Sequence, residues 1–572
     1  MVSAGVLAGC GGSPLPAAAP AQPATSREPG ARHRATARFR FKIPRARKTG
    51  HGARYVSPST ASIEIAAYDV NHVYLLAKTV QNTVPGTGGC SGISGGTYTC
   101  RIVLAVPTGY DSFDVFAFDA KSGTGNKLSA ITRFPFDVVA GHANDVAMTL
   151  GGIPASLNVS LTGNSIFAAG NATLGFSMGG VGKNAAQHFS IVAKDADGNV
   201  IVNPGAPLVS LAADDATQQS IEIASSSPGN FTVTPLAQAS APLAMTASAK
   251  PAGGTAFSVH FALKLVPILY EISCWNTTVA AYAPWSTSPI LTLTSANGIA
   301  ANSAMALDAS GNLYVANDVA TPDGAVLEFA PGSTTASRTI ASLDGPTFLA
   351  LDANGNIFVT ESSDVKEFTV AGGSTPSRTL GSGAGLDAPA GLAVDSAGNL
   401  YVANSQGTTG ISVFAPGTST VTTFSMNAGM NQPKWPAFDT SGNLYVANYA
   451  GHNVTEYAAP ISAASAVLHT FGSSMSIDQP QAIAVDTFGN LYVANTSSQS
   501  AVEFAANQSI VRTISGIGLD GTNLVDTDQI GNVFLPDENT ESIGMYPPGS
   551  STTPSLTYSN GLDGPMDVVV WP

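Results

Sequence analysis

A chain of 572 residues is too long for one hydrophobic core, and three or four domains are expected. Only 11% of residues are charged, long helical periodicity is missing and short alternating runs dominate, which points to an all-β protein. The net charge of −14 hides an asymmetry: ten of the 24 Lys/Arg residues lie between Arg27 and Arg54, where Glu28 is the only acid, and from Tyr55 onward 14 basic residues face 37 acidic ones. So acidic a body repels nucleic acid and anionic membrane, and no nucleic-acid partner is expected. No apolar run approaches the ~20 residues of a spanning helix.

Residues 1–54 hold no evident core-forming pattern. Leu7-Ala8-Gly9-Cys10, followed by Gly-Gly-Ser, looks like a bacterial lipobox, in which the cysteine is lipidated. Only nine residues precede Cys10, without Lys or Arg, so the segment reads as a truncated lipoprotein-type signal or a fortuitous match. Residues 11–26 are rich in Pro, Ala and Ser, and residues 27–54 are basic, interrupted by Phe39, Phe41 and Ile43. The stretch is expected to be a disordered tether, solvated or attached electrostatically to lipid headgroups or an anionic wall polymer. Membrane association is expected only through an anchor at Cys10, and the location is the cell envelope or the secreted fraction.

Residues 55–152 show period-2 alternation in SIEIAAYDV, CRIVLAVP and SFDVFAFD, and a small β-sandwich fits them. Cys90 and Cys100 bracket a Gly-rich loop and are expected to form a disulfide, with a metal pair as the alternative. Cys274 is left over as a buried thiol. Residues 153–265 read as a second sandwich, whose FSIVAKDADGNVIV hairpin resembles those of bacterial surface immunoglobulin-like domains. That resemblance implies two immunoglobulin-like spacers.

From residue 266 to 572 the chain repeats apolar-Asp-x-x-Gly-Asn followed by a strand. The aspartates are Asp308, Asp352, Asp395, Asp439, Asp486 and Asp528, at steps of 44, 43, 44, 47 and 42 residues. This period predicts a β-propeller with four strands, a to d, per blade. Asp-x-x-Gly-Asn reads as the turn between a and b; a metal-ligand role for the aspartates is the alternative. Residues 268–294 supply strands b, c and d without an a, and the C-terminal LDGPMDVVVWP supplies an a alone. Joining them makes seven blades, with six as the alternative. The repeat resembles the NHL family, closest at Pro389-Ala390-Gly391-Leu392-Ala393-Val394-Asp395 and Gly398-Asn399-Leu400-Tyr401-Val402. This implies an NHL-type propeller, whose relatives include interaction platforms, lactonases and lyases such as virginiamycin B lyase.

Ligands of such propellers sit at one mouth of the central channel, near the start of strand a. The two positions after the repeat's proline therefore matter most. The first holds Ser303, Thr347, Ala390, Lys434, Gln481, Asn523 and Met566; the second holds Ala304, Phe348, Gly391, Trp435, Ala482, Leu524 and Asp567. Their one carboxylate, Asp567, does not make a calcium site, and neither His452 nor His469 falls at the rim as a lyase acid–base pair would require. No catalytic residue, metal or cofactor is assigned. Lys434, Trp435, Gln481, Asn523 and Phe348 are the candidate binding residues, with packing of Trp435 under a Pro-rich loop as the alternative. Asn317, Glu361, Asn404, Asn448, Asn495 and Asp537, at the ends of strand b, read as turn caps.

The expected function is a monomeric, non-enzymatic binding platform for a protein, peptide or glycan. A lyase-like or lactonase-like propeller enzyme and a structural or adhesive surface component are the alternatives.

Overall fold

The computed structural model describes residues 33–44, 57 and 59–572, apart from 95, 149, 164, 202–205, 215–218, 252–253, 274, 276, 320–322, 371, 382–385, 407–409, 419–423, 427–428, 463, 473–476, 520–524 and 550. The fold is all-β, with helix confined to short 3-10 turns among these residues. Cys10 and Cys274 lie outside the described residues. The chain divides into two compact units between Gly152 and Ile153.

In the first unit two sheets enclose one core. One has the strand order Leu75–Asn82, Ser62–Tyr68, Gly109–Phe118, Lys127–Val138, Gly151–Gly152; the other has Thr97–Pro107, Arg34–Pro44, Asp145–Val146. The second sheet corrects the expectation of a disordered tether through residue 54. Arg34–Pro44 pairs along its whole length with Thr97–Pro107, setting Phe39 opposite Ile102 and Phe41 opposite Cys100. Ala37, Phe39, Phe41 and Ile43 enter the core while Arg34, Arg38, Arg40 and Lys42 stay exposed. The segment is an amphipathic strand whose outer face happens to be cationic. Cys90 and Cys100 form the disulfide.

The second unit begins with another sandwich. Its sheets run Ala168–Asn171, Gly175–Gly179, Phe257–Val266, Leu243–Lys250, Leu208–Ala213 and Ile221–Ser227, Asn230–Pro235, Gln187–Lys194, Ser156–Thr162. Phe176, Phe189 and Phe261 pack edge-on and stacked between them.

From Ile268 onward the chain is a β-propeller. Six four-stranded antiparallel sheets follow in sequence order from Asn302–Leu307 to Leu556–Tyr558. A further sheet combines Ile268–Ser273, Thr278–Tyr282 and Leu291–Leu293 with the C-terminal strand Pro565–Trp571. Among the described residues that makes seven such sheets in this region. We number the first six as blades 1 to 6 and call the seventh the closing blade. Each strand a adjoins the strand a of the next blade, and Pro565–Trp571 adjoins those of blades 6 and 1. The cycle closes the ring through the C-terminal strand, and each blade keeps only its own short edge strands.

One turn is built six times. In blade 1, Asp308 Oδ1 accepts the N–H groups of Ser310 (2.8 Å) and Asn312 (2.9 Å), and Oδ2 accepts Asn312 Nδ2 (2.7 Å). Gly311 takes φ +79°, where a Cβ would be strained. Asp352, Asp395, Asp439, Asp486 and Asp528 make the same three bonds. These carboxylates are consumed in shaping turns. The sandwich hairpin repeats the device at Asp195, which accepts from Asp197 N (3.1 Å) and Asn199 N (2.9 Å).

The second sandwich packs onto the turn-bearing end of the propeller. Phe167 meets Trp571 edge-on at 5.3 Å, and both belong to one core with Ile268, Met305 and Val315. Gln238 Nε2 donates to Asp528 Oδ2 (3.0 Å), Gln529 N donates to Gln238 Oε1 (3.2 Å), and Asn184 Nδ2 donates to the Ser310 carbonyl (2.9 Å). The two are joined by a shared core rather than by a free linker.

The closing blade also buries carboxyl groups. Glu271 stands where the LYVAN strands carry Val315, Val402, Val446 and Val493, is fully buried, and accepts from Ser273 Oγ (3.0 Å). Burial pushes its pKa up to about 8, and pushes that of Asp526, beside the C-terminal strand, up to about 7.

Two outcomes are expected. Asp486→Ala removes three turn bonds and the Tyr492 hydroxyl bond (3.1 Å), and should lower the unfolding free energy by about 2–3 kcal/mol in urea titrations. For Glu271 and Asp526 the folded pKa exceeds the unfolded one, so their protonated forms favour the fold. Stability is full below the unfolded carboxyl range and falls as pH rises toward about 8. The melting temperature should therefore drop between mildly acidic and alkaline pH, and Glu271→Gln should remove much of that drop.

Candidate functional site

The propeller has two unlike ends. One carries the Asp-x-x-Gly-Asn turns and receives the second sandwich. The other carries the loops from strand d to the next strand a, and from strand b to strand c.

At this second end the strands a of blades 1, 4 and 5 open with the same irregularity. Pro433 pairs with Asn448 and Trp435 with Ala447, leaving Lys434 as the extra residue of a β-bulge. Gln481 is the extra residue between the Pro480–Asn495 and Ala482–Ala494 pairs, and Ser303 between Asn302–Asn317 and Ala304–Ala316. A bulge re-aims the side chain it frees, so the position after the proline is set apart by backbone geometry. The residue two before that position is left-handed in blade after blade: φ is +41° at Ala301, +49° at Ala388, +51° at Gln432 and +52° at Gln479. Strain of this kind persists only where the surrounding structure enforces it.

The strand-b ends hold these loops in place. The Oδ1 atoms of Asn317, Asn404, Asn448 and Asn495 accept the N–H groups of Ala300, Asp387, Asn431 and Asp478, at 2.9–3.3 Å. Glu361 accepts from Asp344 N (3.1 Å) and Asp537 from Gly518 N (2.8 Å). They are clamps between the strand-b end and the incoming loop, a longer reach than a turn cap.

Of the five candidate residues, four are brought to this end and Asn523 lies outside the described residues. Phe348 and Trp435 meet edge-to-face with centroids 5.6 Å apart, although they belong to blades 2 and 4. Blade 3 contributes Gly391 between them; a Cβ there would lie 2.6 Å from the Lys434 carbonyl and 2.8 Å from Trp435 Cε3. The missing side chain is what lets the indole reach across. Trp435 thus packs on a partner ring and a glycine, both at the start of strand a. Lys434 Nζ sits over the Tyr449 ring, 5.8 Å from its centroid, and the Tyr449 hydroxyl donates to Gln479 Oε1 (3.1 Å). Partial burial lowers the Lys434 pKa. Among the described residues Lys434 has no carboxylate partner. Asp567 is not a mouth residue: it is fully buried, and its Oδ2 accepts Met305 N at 2.8 Å.

The histidines have separate surroundings. His452 Nδ1 lies 2.7 Å from Asp478 Oδ1, on the loops of the same end as Lys434. His469 Nδ1 lies 2.8 Å from Glu456, in the register where blade 5 pairs Arg512 with Glu503 (2.6 Å) and blade 2 pairs Arg378 with Glu367. Arg512 also donates to the Pro547 and Ser551 carbonyls of blade 6, and Arg378 to the Ala415 and Thr418 carbonyls of blade 3. This inter-blade latch was written in the recurring Arg-Thr-Ile/Leu of strand d and the Glu of strand c.

No family model matches the chain, and no curated protein matches it. Among solved structures it is similar to a functionally unknown protein from Desulfotomaculum acetoxidans at 11% identity, over 53% of this chain and 98% of that one, with a TM-score of 0.44. It is similar to a protein from Lactobacillus plantarum at 15% identity, over 54% and 99%, with a TM-score of 0.42. Similarity to virginiamycin B lyase from Staphylococcus aureus runs at 11% identity, over 46% and 85%, with a TM-score of 0.32. None of the three assigns a residue, ligand or reaction to this chain.

Gly391→Ala is expected to push Trp435 off Phe348 and to cost about 1–3 kcal/mol in urea unfolding, as overpacking does. Ala390→Gly beside it should leave the aromatic pair in place.

Proposed function

We propose that the chain is a secreted or envelope-attached NHL-type propeller that binds its ligand at the mouth formed by the strand-a bulges. The observation that carries this reading is Lys434, half-buried and without a carboxylate partner among the described residues, beside the Phe348–Trp435 pair. A partly desolvated ammonium is costly unless something completes its coordination, and a ligand carboxylate would do so. An indole edge and the Gln481 amide suit a peptide or glycan that offers an apolar or sugar face. The second sandwich engages the opposite end, which favours this end as the open one. The Cys90–Cys100 disulfide supports an oxidising compartment.

A second reading, a propeller enzyme, is favoured by the His452–Asp478 contact at the same end. A carboxylate-oriented imidazole can act as a general base.

The test is a peptide and glycan array with the purified chain, followed by titration of Lys434→Ala and Trp435→Ala. Each substitution should weaken a saturable ligand by about tenfold or more, as a buried anchor would. Turnover of a lactone or lyase substrate that His452→Ala abolishes would overturn the binding reading in favour of the enzyme. The absence of any saturable ligand would leave a structural surface component.

A further inference from the structure

Charge is not shared evenly between the two compact units. Residues 1–152 carry 15 basic and 8 acidic residues, a net of +7, while residues 153–572 carry 9 and 30, a net of −21. Five of these 15 cations lie on one sheet face. Arg34, Arg38, Arg40 and Lys42 occupy alternate positions of a single strand and are all exposed. Alternate residues of a strand project from the same face about 7 Å apart. The paired strand adds Arg101 directly opposite Arg40 and exposed Val103 opposite Arg38. One acid, Asp145, lies opposite Arg38 on the other side. Backbone pairing fixes this array, so its cations are displayed by a sheet and not by a loose tail.

A second feature sits at one corner of the same unit. Val70, Val73, Tyr74 and Leu75, around the tip of the hairpin after Ser62–Tyr68, are 55–70% exposed, and Tyr110 is 54% exposed. The corner adjoins the start of the basic strand. Arg34 pairs with Pro107, Thr108 N donates to the His33 carbonyl, and the chain then runs through Tyr110 to Ser112, which pairs with Tyr68 and contacts His72. Clustered apolar side chains at a loop tip are a cost in water unless they enter another phase.

We propose that the first unit is a peripheral membrane-binding module: the Arg34–Lys42 face meets anionic lipid headgroups and the Val70–Leu75 tip enters the interfacial layer. Charge complementarity alone would also fit a soluble polyanion. The apolar tip decides for a bilayer, since a linear polyanion offers nothing to bury it. The acidic second unit would be repelled by the same surface, which favours attachment through the first unit alone. It takes up, for the folded strand Arg34–Pro44, the electrostatic attachment to lipid headgroups weighed for residues 27–54.

The test uses the full-length chain without lipidation and sedimentation with vesicles of phosphatidylcholine alone or mixed equally with phosphatidylglycerol. Binding should require phosphatidylglycerol and weaken with added salt. The Arg38→Glu/Arg40→Glu/Lys42→Glu variant should lose on the order of a hundredfold or more in affinity, at about fivefold per cation removed. The Val73→Ser/Tyr74→Ser/Leu75→Ser variant should lose about tenfold or more. Retained folding of both variants is checked by an unchanged melting curve, and the salt dependence of the wild-type chain needs no variant at all. Equal sedimentation with both vesicle types would overturn the proposal. So would binding to heparin as tight as to vesicles together with an apolar variant that loses nothing, which would identify a linear polyanion instead.

Discussion

The carboxylate-capped turn between strands a and b is the constraint on which the propeller depends. An aspartate Oδ1 that accepts two backbone N–H groups, with Oδ2 held by the following asparagine, fixes the direction of strand b against strand a without a long loop. Repeated six times, it sets the register of the inner strands, from which each blade grows outward. The same atoms then serve other contacts. Tyr492 donates to Asp486, and Gln238 of the second sandwich donates to Asp528, so the turn that shapes a blade also anchors its neighbours.

Closure of the ring depends on a different interaction. Pro565–Trp571 pairs with Ile268–Ser273, strands separated by nearly the whole propeller sequence, and Trp571 then packs on Phe167 of the sandwich. This junction carries buried carboxyl groups, Glu271 and Asp567, within the blade that every other blade relies on for closure. Burial favours the protonated carboxyl over the ionised one there, so the joint of the ring is expected to weaken as pH rises. The mouth is built on the other end, where bulges and left-handed residues present Lys434 and Gln481 away from the ladder.

Much of the fold was legible because its signals were periodic. The Asp-x-x-Gly-Asn phrase gave the turns, and the match between the two chain ends gave the pairing of Ile268–Ser273 with the C-terminal strand. The Cys90–Cys100 pair was legible from its short, glycine-rich spacing. The Arg34–Pro44 strand was not, because four cations on its outer face masked a regular alternation of Ala37, Phe39, Phe41 and Ile43 on the inner one. At the mouth, the proline-relative position pointed to Lys434 and Gln481, yet it could not show that they are bulge residues or that Gly391 lets Trp435 meet Phe348. Such contacts join separate blades, and no local spacing encodes them. Asp567 shows the converse: a rim position by sequence that the fold turns inward to Met305.

Function rests on the mouth being the ligand-bearing end. Hydrogen–deuterium exchange, with and without a ligand identified on the array, separates the two ends directly. Protection is expected over Gln432–Trp435 and Gln479–Ala482, with the turns at Asp308–Asn312 and Asp439–Asn443 unchanged. Protection confined to those turns would place the ligand on the opposite end and contradict the assignment of Lys434.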